Sequence, residues 1–194
     1  MPNPTHIQGI EISSLAEQFG TPLYIYDGAK IVSQVKTLQE AFATVPLKIK
    51  YATKALSNIN VLKLIRKAGA GIDAVSIEEA KLGMLAGFTP GEIMYTPSGV
   101  DFSEIQEAVD MGIMINLDSI PLMERFGQTY GGSLEACIRI NPHIMAGGNL
   151  KISVGHKESK FGISIEQLTE ILQVVEKYQL NIVGLHIHTG SDIL

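Results

Sequence analysis

One unit recurs along this chain at a nearly constant interval. A short apolar run ending on a polar residue is followed by a helix-capping signal, an amphipathic segment and a glycine, after which the unit starts again. Runs beginning at 48, 71, 93, 113 and 135 are separated by 23, 22, 20 and 22 residues, and a sixth occupies 182–188. That spacing holds one strand, one helix and two loops. Crossover helices join parallel strands, and parallel sheets are covered on both faces, so the expected class is α/β. No Gly-x-Gly-x-x-Gly follows the first run, and the even beat offers no switch point of the doubly wound kind. The expected architecture is therefore a (β/α)8 TIM-type barrel with six of its eight strands present.

The helices between the runs carry their own start and stop signals. Ser76 with Glu79, Asp101 with Glu104 and Ser164 with Gln167 each place a side-chain acceptor three residues before a Glu or Gln, the pattern of a capping box. Gly69, Gly87, Gly112 and Gly127 fall where those helices are expected to end. Leu168, Ile171, Leu172 and Val175 have the spacing of a buried stripe. Two features depart from the beat. Residues 21–27 read as an extra strand ahead of a helix over 28–43, so 1–27 is expected to be an N-terminal segment with a strand for a second, β domain, and 28–194 the partial barrel. The interval between the fifth and sixth runs is 47 residues, and the surplus over 142–162 follows the C-terminal end of a strand. Barrel active sites are built on that face.

Composition narrows the function classes. With 45% hydrophobic residues, 18% charged residues and a formal charge of −5, the 194-residue chain has the makeup of a folded domain and lacks the basic patch that nucleic acid requires. No stretch approaches the length of a membrane span, and the first residues have no signal-peptide pattern, so a cytoplasmic location is expected with no membrane partner. Cys137, the only cysteine, reads as a buried core thiol between Ala136 and Ile138.

The chemistry gathers at the strand ends. Lys54 closes the first run; a partly desolvated lysine at a barrel mouth is a nucleophile toward carbonyls and suits a Schiff base, although Lys48 and Lys50 nearby also allow a surface lysine. His186 and His188, two apart on the sixth run, point the same way and could bind a metal, stack on a planar cofactor, or sit as satisfied core imidazoles. The following Thr189-Gly190-Ser191 offers backbone N–H groups and a hydroxyl to an anion. Asp73 and Arg139 are charges inside apolar runs and need partners, either each other's kind or a cofactor. Ser98, Asn116 and Asp118 also end strands, but caps and turns account for them.

Taken together these residues resemble the fold-type III pyridoxal phosphate decarboxylases, whose barrel is of the alanine-racemase-like kind. Tyr51-Ala52-Thr53-Lys54-Ala55 is similar to the family's cofactor-lysine motif, and Asp73-Ala74-Val75-Ser76 with Glu78-Glu79 to its second-strand motif. Arg139-Ile140-Asn141-Pro142, then Lys151-Ile152-Ser153-Val154-Gly155 and Ser159-Lys160-Phe161-Gly162, resemble its fifth-strand insertion, and 184–191 resembles the end of its sixth strand. Ile77 departs from the glycine often found before the glutamate at 78.

The resemblance implies an enzyme in which Lys54 holds pyridoxal 5'-phosphate, His188 stacks on its ring, Gly190 and Ser191 contact its phosphate, and Asp73 and Arg139 lie close by, with no metal. It further implies an amino-acid substrate, meso-diaminopimelate converted to L-lysine, with ornithine, arginine or carboxynorspermidine as alternatives, and a homodimer. The remaining strands, the phosphate loop, the carboxylate for the pyridine nitrogen and a C-terminal β domain with a catalytic Cys and Tyr are expected beyond residue 194, so the sequence is expected to be the N-terminal part of a longer protein. A non-catalytic pyridoxal-phosphate-binding barrel and a metal-dependent hydrolase on His186 and His188 are the competing readings.

Overall fold

A computed structural model describes residues 5–145 and 154–191; residues 151–153 of the insertion motif and the last three residues, 192–194, lie outside the described residues. The chain opens with a small antiparallel hairpin, β1 (His6–Ile7) and β2 (Ile10–Glu11), that the alternation did not announce, followed by α1 (Ile12–Phe19) and α2 (Gly28–Ala41). Residues 21–27 pair with no strand among the described residues; they run irregularly into α2, where the Asp27 side chain caps the helix by accepting from the Lys30 N–H at 2.9 Å.

From there the beat is realised. β3 (Lys50–Ala52), α3 (Ile59–Lys67), β4 (Gly71–Ala74), α4 (Ile77–Leu85), β5 (Ile93–Tyr95), α5 (Phe102–Asp110), β6 (Met114–Leu117), α6 (Ile120–Tyr130), β7 (Glu135–Asn141), α7 (Leu168–Tyr178) and β9 (Asn181–Ile187) follow in turn. The order across the sheet is β3-β4-β5-β6-β7, all parallel, with β9 parallel on the far side of β7 and a two-residue β8 (Ile163–Ser164) paired to the end of β7. A strand thus appears in each of the six apolar runs, and these strands neighbour one another in chain order, the order of a (β/α)8 barrel.

Strand alternation divides the residues between two faces. Ile72, Ala74, Ile93, Tyr95, Ile115, Leu117, Ala136, Ile138 and Ile140 face the helices and are buried against Leu62, Ile65, Ile77, Ala80, Ile105, Ala108, Met123, Phe126, Ile171 and Val174. Burial of each large side chain contributes about 1.5–3 kcal/mol, which makes this layer the core. The other face carries Asp73, Thr96, Asn116, Asp118, Arg139, His186 and His188.

The caps act much as expected. Ser76 accepts from the Glu79 N–H at 3.2 Å, and Asp101 caps α5 through the Phe102 N–H at 3.0 Å. Ser164 caps a 3-10 turn over Ile165–Gln167 that leads into α7. Gly69, Gly87 and Gly112 follow helix ends with positive φ. Gly127 does not: it lies inside α6, and Gly131 caps that helix. The reason is packing, because a Cβ at 127 would come within 2.6 Å of the Tyr178 side chain on α7. The stripe on α7 is also rotated from expectation, with Ile171 and Val174 buried and Leu168 and Leu172 exposed, since α7 presses on α6 along one side. Cys137 is a buried free thiol, as its neighbours implied.

Candidate active site

Ala52, Lys54, Asp73, Val75, Thr96, Arg139, His186 and His188 line one cavity of about 110 Å3 at the C-terminal ends of the strands. Its walls come from β3 and β4 at one end of the sheet and β9 at the other. In a flat sheet six strands wide the first and last would stand about 24 Å apart. The sheet is therefore curled, and the curl brings the amine of Lys54 into electrostatic reach of both imidazoles. A larger cavity of about 480 Å3 lies between β3, α2 and α3, but its walls are mostly apolar and gather no cluster of reactive groups.

Lys54 sits on a 3-10 turn, Thr53–Ala55, that follows β3 directly. The turn ends the strand alternation, buries Thr53 and leaves Lys54 exposed. The partial burial expected for Lys54 is therefore not found. What holds the turn is Thr53, whose hydroxyl is bonded to the Asp73 carbonyl and to the Glu79 carboxylate, while Glu79 also accepts from the Val75 N–H at 2.9 Å. Glu79 does not close the capping box back onto Ser76; it ties the lysine turn to the end of β4.

Asp73 faces inward. Burial raises its pKa, opposed by a 2.5 Å hydrogen bond from the Thr96 hydroxyl and by the charges of Arg139 and Lys54. Thr96 in turn accepts from the Asn116 side-chain amide at 2.7 Å. A polar chain thus crosses β4, β5 and β6 along the inner face. Asp118 is buried, with its pKa raised for that reason and countered by a bond from Ser98 and by the charge of Arg139. Arg139 is buried within electrostatic reach of both carboxylates and stacks over the Phe161 ring at 4.8 Å. Asn116 and Asp118 belong to this network and are not explained by caps and turns alone. The sequence pattern does not single out Thr96, and it offers Glu79 only as a capping partner and part of the second-strand motif, not as the partner of Thr53. The available signal was a polar residue at the inward-facing end of each strand, and it does not say which strand its partner lies on.

His186 and His188 both open on the cavity. Burial, then Arg139 and Lys54, push the pKa of His186 down to about 4, so its ring is neutral near pH 7. The pKa of His188 is lowered by burial and by the same two cations. The His186 Nδ1 is buried without a hydrogen-bond partner. Among the described residues no group of three His, Cys, Asp or Glu stands close enough to hold a metal. Gly190 is buried and Ser191 exposed, just beyond His188 and outside the cavity's lining.

This donor set consists of a primary amine, a guanidinium, two imidazoles and one carboxylate, with one buried ring nitrogen unsatisfied. It fits an anionic, planar aldehyde such as pyridoxal phosphate better than a cation. Residues 28–194 match the family described as Pyridoxal-dependent decarboxylase, pyridoxal binding domain, and the chain belongs to that family.

Among individual proteins, the diaminopimelate decarboxylase of Methanothermobacter thermautotrophicus is 35% identical over 190 residues, covering 97% of this chain and 44% of that protein. The crystal structure of the Helicobacter pylori diaminopimelate decarboxylase complexed with L-lysine superposes with a TM-score of 0.84 at 32% identity, covering 95% of this chain and 48% of that one. The Vibrio vulnificus lysine/ornithine decarboxylase complexed with putrescine matches with a TM-score of 0.77 at 26% identity, covering 93% of this chain and 45% of that one. The chain thus spans less than half the length of the relatives it matches. These matches agree with the α/β barrel class expected from the beat. Among the described residues no helix is long and apolar enough to cross a membrane.

Proposed function

We propose that the whole protein removes one carboxylate of meso-2,6-diaminopimelate as CO2 and releases L-lysine, with pyridoxal phosphate held at the rim described above. The observation that carries this reading is that Lys54 and both imidazoles, from opposite ends of the sheet, line one cavity together with Asp73 and Arg139. The names of the most similar relatives favour diaminopimelate, and the Vibrio relative keeps ornithine and lysine in play.

Pyridoxal phosphate, when bound, supplies an aldehyde that condenses with amines and a ring that accepts the electron pair left when CO2 departs. The chain's own residues do the rest. Lys54 supplies the amine that would hold the aldehyde, and its exposed place on a short turn leaves it free to yield to a substrate amine. His188 offers a flat ring to the cofactor's face. His186, neutral near pH 7, adds no charge beside it. Arg139 and Lys54 make the rim attractive to anions, and Asp73 is kept in register by Thr96. Gly190 and Ser191 offer an N–H and a hydroxyl to the phosphate.

In this reading residues 28–194 are the cofactor-binding part of a barrel, and 1–27 leads from a β domain. The outer face of β9 supports further barrel elements, because Val183, Leu185 and Ile187 are 49%, 70% and 53% exposed where the matching face of β7 is buried. The working form would be a cytoplasmic homodimer.

The test is on the whole purified protein. It should be yellow with pyridoxal phosphate, lose that colour in Lys54→Ala, and release CO2 from meso-diaminopimelate faster than from ornithine, arginine or carboxynorspermidine. A yellow protein that releases CO2 from none of them would instead be a cofactor-binding module, and a colourless protein would refute both.

A further inference from the structure

The 142–162 insertion leaves β7 at Asn141 and returns beside it at β8, where Ile140 pairs with Ile163 and Asn141 with Ser164. Asn141 is buried, and its amide bridges both described stretches of the insertion. Its Oδ1 accepts from the His143 N–H at 3.1 Å, and its Nδ2 donates to the His156 carbonyl at 3.0 Å. His143 has a left-handed φ of 57°, a conformation that this bond helps to hold.

The second stretch reaches the end of β9. The Val154 and Gly155 N–H groups both donate to the Thr189 carbonyl, at 3.2 and 3.1 Å. The approach is close: a Cβ at Gly155 would lie 2.6 Å from the Ile144 carbonyl oxygen and 3.0 Å from the Thr189 Cα. A trans peptide is planar, with its C=O and the next N–H pointing in opposite directions. Holding the Thr189 carbonyl therefore also sets the direction of the Gly190 N–H.

We infer that Asn141 is a positioning residue for anion binding at Gly190 and Ser191: it locks the two sides of the insertion together so that Val154 and Gly155 hold the Thr189–Gly190 peptide in the orientation that presents the Gly190 N–H to a phosphate. This rests on the proposed cofactor site. Asn141 does not line the cavity, and its two side-chain hydrogen bonds, to His143 and His156, run to the insertion backbone.

The experiment compares affinities of the whole protein for pyridoxal phosphate and for pyridoxal, which has the aldehyde and ring but no phosphate. A lost buried hydrogen bond is worth roughly a factor of ten in binding. Asn141→Ala should weaken pyridoxal phosphate by about that factor while pyridoxal affinity stays within about twofold. General damage to the barrel would weaken both equally, and that result would overturn the inference. Gly155→Ala attacks the far end of the same contacts and should show the same selective loss. The Gly155→Ala result also decides the question if the alanine variant at 141 does not fold. If the variants bind pyridoxal phosphate as wild type does, the inference fails while the cofactor site stands. If wild type binds no pyridoxal phosphate, both fail.

Discussion

The two faces of the one curled sheet are held by different forces. Toward the helices, Ile72, Ile115, Leu117 and Ile138 are buried against apolar side chains. On the inner face, Asp73, Thr96, Asn116, Asp118 and Arg139 are buried to a similar degree in places, and hydrogen bonds and opposed charges offset part of their desolvation. Every strand serves both at once, because alternation sends one residue to the core and the next to the site. Stability and chemistry are thereby separated by a single step along the chain, and substitutions one residue apart should have unlike consequences.

The largest separation is expected at Lys54. Lys54→Ala should abolish cofactor colour and decarboxylation in the whole protein and leave the melting temperature of the cofactor-free form nearly unchanged, because the side chain is exposed. Leu117→Ala is the outer-face counterpart. It should cost about 2–5 kcal/mol in denaturant unfolding while cofactor affinity is retained. A loss of affinity without a loss of stability there would break the division between the faces.

Thr96→Val tests the inner face by the same measure. It removes the hydroxyl that links Asp73 to Asn116 and leaves both of their groups buried and unpaired, at a cost of about 1–3 kcal/mol. Unlike Leu117→Ala, it should also weaken cofactor binding.

A pH titration refines the contrast. The native His186 titrates near 4 against 6.5 for a free imidazole, so between those values the unfolded chain binds a proton that the native one refuses. Stability should fall as pH drops from 6.5 toward 4 and be unaffected by this group above that window. His186→Gln should reduce the slope, leaving the share that the similarly depressed His188 contributes, and the difference between the two curves isolates His186 from His188, Asp73 and Asp118. Burial raises the pKa of both carboxylates, which acts in the opposite sense. The smallest effect is expected at Leu185 on the bare face of β9, where Leu185→Ser in this chain should change stability by no more than about 0.5 kcal/mol.

What could be read from the sequence follows the same division. Periodicity is local, so the six strands, the caps at Ser76 and Asp101, and the inward-facing Asp73, Arg139, His186 and His188 are legible; Lys54 is legible as the polar end of its run, but its place on an exposed turn is not. The links among inward residues are set by which strand lies beside which and in what register, and no short window contains that. Thr96 reaches Asp73 across 23 residues, Thr53 reaches Glu79 across 26, and Asn141 reaches His156 across 15. Gly127 was misread for a related reason: its small size answers to Tyr178 on another helix and not to any turn of its own. The stripe on α7 shifted because its period specified a face, whereas the neighbour it meets depends on the packing of α6.

The most direct test of the account is chemical trapping. The whole protein would be loaded with pyridoxal phosphate, treated with borohydride to fix any lysine linkage, digested and mapped by mass spectrometry. A single phosphopyridoxyl adduct is expected on Lys54, lost in Lys54→Ala. An adduct on Lys50 or on surface lysines instead, or none at all, would contradict it.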